Sequence, residues 1–161
     1  SRTGAPFDRD GALAARGRVD ESALKTLLSN GYFSAPPPKS LDRNAFDSAA
    51  LAALSDEDGA ATLVAFTAQT VALGLGLCPA RARRLLVTGG GRHNPCLLAA
   101  LAERIEITVE PVETVGWRGD ALEAEAFAYL AVRSLSGAVL SLPETTGVRQ
   151  PQCGGVLQRA G

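Results

Sequence analysis

Apolar residues recur along this chain at two periods, one helical and one suited to buried strands, and the two alternate. The longest helical signal is "SDEDGAATLVAFTAQTVALGLGL". Ser55 is placed to cap it, and acidic residues in its first turn complement the positive end of the helix dipole. Leu63, Phe66, Thr70, Leu73 and Leu77 fall on one face in steps of three and four, so that face is predicted to be core. Further helices are predicted over residues 21–28, closed by Asn30 and Gly31 as a left-handed stop, and over 44–54, 95–104 and 121–135. The last is apolar on most sides and is expected to be largely buried. Short apolar runs predict strands over 85–88, in a buried parallel position, and 107–110, with a final strand including Val156 and Leu157.

Breakers separate these elements. The opening stretch is rich in glycine and charge up to Gly11 and then in alanine, a loop feeding a short helical turn. Three consecutive prolines fix φ and remove donors, so residues 35–40 must be an extended connection. Cys78 and Pro79 end the long helix. Strands alternating with helices predict an α/β architecture, and 161 residues suit one domain.

Composition narrows the partners. Sixteen lysines and arginines balance seventeen aspartates and glutamates without segregation, which gives a phosphate backbone or an anionic membrane nothing to bind. Nucleic acid is excluded as an expected partner. Cys78, Cys96 and Cys153 are odd in number and far apart, fitting a reducing cytoplasm better than a disulfide framework. The most apolar run, residues 63–78, is interrupted by Thr67, Gln69 and Thr70 and falls short of the roughly 18 residues a membrane span needs. No membrane span and no targeting segment are expected. The chain begins at Ser1 and contains no methionine, so a processed chain or a piece of something longer is expected.

Several motifs admit both a structural and a functional reading. Gly89, Gly90 and Gly91 follow a predicted strand and precede a helix that Asn94 can cap and Pro95 can start. Glycine permits positive φ and lets a flat ligand approach, but a tight strand-to-helix corner would need it equally. The position favours a ligand, because open α/β sheets hold ligands at the carboxyl ends of their strands. His93 and Cys96 have H-x-x-C spacing, yet two ligands are half a zinc site and the chain has no other histidine. Asp120 and Glu123 have the spacing of a capping box. Glu123 also stands one turn before Phe127, where a buried carboxylate would need a donor, a cation or a sugar hydroxyl. Glu125 points elsewhere, towards solvent. Lys39 and Arg43 flank a proline-rigid turn that either closes a loop or faces a phosphate or a neighbouring domain, and Asx turns before Gly11 account for Asp8 and Asp10.

Four of these segments, "FDRDGALAARG", "PPKSLDRNAF", "VTGGGRHN" and "GDALEAEAFAYLA", occur here in an order and spacing that resemble the C-terminal part of the anhydro-N-acetylmuramic acid kinases of bacterial cell-wall recycling. The likeness spans nearly the whole chain. It implies the α/β fold of the actin, Hsp70 and sugar-kinase superfamily, with residues 1–161 as the C-terminal lobe and helices packed on a small mixed sheet. It implies a kinase that uses ATP and magnesium to open the 1,6-anhydro ring with water and phosphorylate the sugar at its 6-oxygen, cytoplasmic and homodimeric when full length. Gly89, Gly90, Gly91 and Asn94 would form the adenosine-side loop, and Glu123 would hydrogen-bond the sugar. Glu125 stands where the family usually has an apolar residue, and "PPKSLDR" matches one branch only. The family's "GTSxDG" and "DTGPGN" segments, its catalytic aspartate and most of its magnesium ligands belong to the other half, so the resemblance implies no catalytic residue, no metal ligand and no turnover here. The alternative is a non-catalytic nucleotide-binding or subunit-contact module derived from that lobe. A Rossmann dehydrogenase is discounted, since three helices precede the glycines.

Overall fold

The computed structural model describes residues 4, 6–42, 45–46 and 48–159. Its regular elements are α1 (Glu21–Leu28), α2 (Asp56–Gly76), β1 (Arg84–Val87), α3 (Pro95–Arg104), β2 (Thr108–Pro111), α4 (Leu122–Leu135) and a single turn, α5 (Pro143–Thr146). Short 3-10 turns join them, notably Ala14–Arg16, Gly31–Phe33, Gly90–His93 and Val112–Val115.

Side-chain caps start the first three helices, at Ser55 and Asn94 as the sequence predicts and at Asp20 in addition. Asp20 Oδ1 accepts from Ala23 N at 2.7 Å, Ser55 Oγ from Asp58 N at 3.0 Å and Asn94 Oδ1 from Leu97 N at 3.0 Å. Each satisfies one donor that the first turn leaves without a helical partner. The stop expected after α1 does not form: neither Asn30 nor Gly31 has positive φ. Asn30 instead accepts from Tyr32 N at 2.9 Å and opens the Gly31–Phe33 turn.

The core lies where α2 meets α1, α3 and the Ala14–Arg16 turn. The face of α2 that it buries is not the predicted one. Ala61, Thr62, Ala65 and Ala68 are buried, whereas Leu63 and Leu73 are exposed and Phe66, Thr70 and Leu77 are half-buried. The small side chains let neighbouring backbone approach closely, and Gly17 shows how closely: a Cβ there would lie 2.0 Å from the Glu57 carbonyl oxygen. The fully buried Thr62 hydroxyl donates to Asp58 O at 2.7 Å and accepts from Asp20 N at 2.9 Å, so the start of α1 is tied to α2 without an unsatisfied polar atom. At 21 residues α2 also exceeds the apolar run counted from sequence, and by length and composition alone it is long enough to cross a membrane.

β1, α3 and β2 form one parallel βαβ unit in the register Arg84 with Thr108 to Val87 with Pro111. The sheet of the described residues is therefore purely parallel, not mixed, and its strands are half-buried to exposed. Three other expectations are corrected. Within 44–54 no α-helix forms among the described residues, which include the 3-10 turn Ser48–Leu51 while Asn44 and Asp47 lie outside them, and Phe46 packs 5.9 Å from Phe33 and 5.5 Å from Phe66 between ring centroids. α4 buries none of its residues, and Phe127 is 65% exposed. Val156 and Leu157 are exposed and irregular, the strand-like contact being a single antiparallel bridge between Ser141 and Gln152.

Candidate functional site at the carboxyl edge of the sheet

β1 runs out at Val87, and the chain turns through Gly89 into the Gly90–His93 turn and then α3. Gly89 has φ 68° and ψ −168°, a conformation that excludes ordinary side chains. A Cβ added at Gly89 or Gly90 would meet nothing within 4 Å, and both residues are exposed, whereas one at Gly91 would lie 3.2 Å from Leu97 Cδ2. The first two glycines thus present open backbone to solvent, and the third serves packing against α3. Asn94 is committed to its cap, and Gly11, at φ 68°, packs so close that a Cβ there would lie 2.2 Å from Asn94 Oδ1. Cys96 Sγ donates to Gly11 O at 3.3 Å.

Arg92 is the buried cation of this edge, its side chain 4% exposed. Its Nε donates to Glu113 Oε1 at 2.8 Å, its Nη1 to Gly89 O at 2.8 Å, and its Nη2 lies 2.7 Å from Asp120 Oδ2. Glu113 Oε1 also accepts from Gly119 N at 3.2 Å, while Gly119 O accepts from Thr88 Oγ1 at 3.2 Å and Gly89 N at 3.4 Å. A Cβ on Gly119 would lie 2.4 Å from Arg92 Nε, so the guanidinium needs that glycine. Hydrogen bonding to Arg92 holds the Asp120 carboxyl below its ordinary value. Glu113 is lowered too, first by its own backbone N–H and then, against partial burial, by Arg92 and Gly119 N, while Arg92 is raised chiefly by Asp120.

The predicted residues are distributed unevenly. Gly89, Gly90, Gly91 and Asn94 form one corner as expected. Asp120 is not the N-cap of α4; that position belongs to Ala121, without a side-chain cap, and Asp120 pairs with Arg92 instead. No capping box with Glu123 forms. Glu123 lies exposed in the first turn of α4, as does Phe127 one turn on, so no burial cost attaches to its carboxylate. Glu125 is exposed, as expected, and pairs there with Arg118. His93 Nε2 lies 3.9 Å from Asp120 Oδ1 while Cys96 turns to Gly11, so the H-x-x-C pair does not converge. No group of three or more His, Cys, Asp or Glu among the described residues could hold a metal. Lys39 Nζ donates to Tyr32 O at 2.6 Å and Phe33 O at 3.3 Å, which closes a loop, and Arg43 lies outside the described residues. Asp8 reaches past Gly11 to accept from Leu13 N at 2.8 Å and Ala14 N at 3.0 Å, longer spans than an Asx turn.

Sequence reasoning missed Arg92, Glu113 and Gly119. A weak signal was present in "RGD", a glycine directly before an acid at a helix start, but nothing in the linear pattern says that Arg92 and Glu113 meet.

Comparison with known proteins gives this corner a context. The family model for anhydro-N-acetylmuramic acid kinase matches residues 1–160. A protein of that name from Rhizorhabdus wittichii is 58% identical over 157 residues, covering 98% of this chain and 43% of its own. Others from Acidiphilium cryptum and Brucella anthropi are 56% and 55% identical, covering 99% and 94% of this chain and 45% and 41% of theirs. The chain spans less than half the length of these curated relatives.

Proposed function

The chain belongs to the anhydro-N-acetylmuramic acid kinase family, and from that premise we propose that it is the C-terminal lobe of such a kinase and forms the adenosine side of its cleft. The supporting observation is the open backbone of Gly89 and Gly90, where the chain leaves the carboxyl end of a parallel strand with positive φ at Gly89 and no Cβ stands between a flat nucleoside and the chain. Gly91 and Asn94 keep that corner in shape through α3. The exposed Glu123 carboxylate, one turn beyond Asp120, accepts hydrogen bonds from sugar hydroxyls.

In the reaction proposed for the intact kinase, water gives up one proton to a general base and adds to C1 of the 1,6-anhydro sugar as the C1–O6 bond breaks, and O6 takes the terminal phosphoryl group of ATP, leaving ADP. Magnesium neutralises phosphate charge in such transfers. No group of three or more His, Cys, Asp or Glu that could hold a metal lies among the described residues, and in this reading the segment binds and orients while the phosphates, the metal and the general base fall to the part of the family's length that it does not span. The test is transfer from labelled ATP to 1,6-anhydro-N-acetylmuramic acid. The intact gene product is expected to make the 6-phosphate, and the 161-residue chain to bind ADP without turnover. An intact product that binds ADP but transfers nothing would favour the non-catalytic module, and turnover by the 161-residue chain would contradict the division of labour.

A further inference from the structure

We propose that Arg92 is a positioning residue that holds the glycine corner and the start of α4 in one fixed relation, so that nucleotide and sugar affinities depend on it together. The inference rests on the kinase reading above and goes beyond it, because Arg92 touches neither proposed ligand directly. Its three partners sit on three different segments leaving the carboxyl edge of the sheet: Gly89 after β1, Glu113 after β2, and Asp120 before α4. The side chain is buried while Glu113 and Asp120 are 46% and 82% exposed, so the cation is the desolvated member of the cluster. Burying a charge is costly unless its donors are used, and here Nε, Nη1 and Nη2 all are. A planar guanidinium fixes direction as well as distance, which an apolar contact or a lysine point charge would not. The same junction is closed a second time by Gly119, whose N–H meets Glu113 and whose carbonyl meets Gly89 N and Thr88 Oγ1. Gly89 is the proposed nucleoside contact and Asp120 stands one turn before the proposed sugar contact, so one buried cation orients both.

The experiment measures KM for ATP and for the anhydro sugar, kcat and thermal midpoint in the intact gene product and its Arg92→Ala, Arg92→Lys and Asp120→Asn variants. Arg92→Ala is expected to raise both KM values by about tenfold or more, at a temperature where circular dichroism shows it folded, with a smaller change in kcat. Arg92→Lys should restore part of that loss. Asp120→Asn should raise the sugar KM more than the ATP KM, because Arg92 keeps its bonds to Gly89 and Glu113. A loss confined to the thermal midpoint or to kcat through fewer active molecules, with both KM values unchanged, would make Arg92 a plain structural staple and overturn the proposal, as would a change in only one KM. A wild-type protein without ATP-dependent turnover would remove the kinase reading itself, and this inference with it, before any variant is compared.

Discussion

Asp120 carries the most solvent-exposed carboxylate of the Arg92 cluster, yet its charge is defined by that buried cation. A carboxyl lowered in the folded state stabilises the fold above its unfolded pKa, and that stability drains away as pH falls through the folded value. The ordinary values are 3.8 for Asp120 and 4.5 for Glu113, and both are lowered here. The urea midpoint should therefore be insensitive to these two groups above about pH 5 and fall with acid below the ordinary values. In Arg92→Ala the acid-induced fall should be shallower, because the largest cause of lowering at Asp120 is gone. Equal slopes in the two proteins would show that the pair contributes no linkage. Asp58, lowered chiefly by the Arg18 backbone N–H at 2.7 Å, titrates in both and cancels in the comparison.

Between elements, close approach rather than bulk decides which faces are buried. Gly17→Ala would drive a methyl into the Glu57 carbonyl at the start of α2, where helix backbone cannot give way as a flexible side chain can. Overpacking of this kind costs about 1–3 kcal/mol, read as a lower urea midpoint at unchanged slope, and an unchanged midpoint would show that the Ala14–Arg16 turn shifts freely. The same physics separates what was legible in the sequence from what was not. Ser55 and Asn94 announced their helices because a cap is a local bond, and "RRLLVTGGG" announced β1 because a strand ending in glycines is a local pattern. The buried face of α2 was not legible: a helix apolar on nearly every side gives no periodic contrast, and alanines win where neighbours come close. α4 misled for a related reason, since an apolar sequence states what could be covered and not what covers it. The glycine corner was readable from spacing, whereas the Arg92 cluster, assembled from three segments, was not.

Across the whole molecule, the core sits among α1, α2 and α3, and the carboxyl edge of the sheet with α4 faces outward. Phe127, Val132 and Leu135 on α4 and Val156 in the tail are each more than half exposed, so the side of the chain carrying Glu123 is its open side. Such a surface suits the binding and orienting role proposed for this segment. In the proposed cleft, side-chain-free backbone at Gly89 and Gly90 receives the nucleoside. A crystal structure of the intact gene product with ADP tests it most directly. The nucleoside is expected to lie against those two glycines, within contact distance of their backbone atoms; nucleotide bound elsewhere, with that corner closed by neighbouring side chains, would rule the site out.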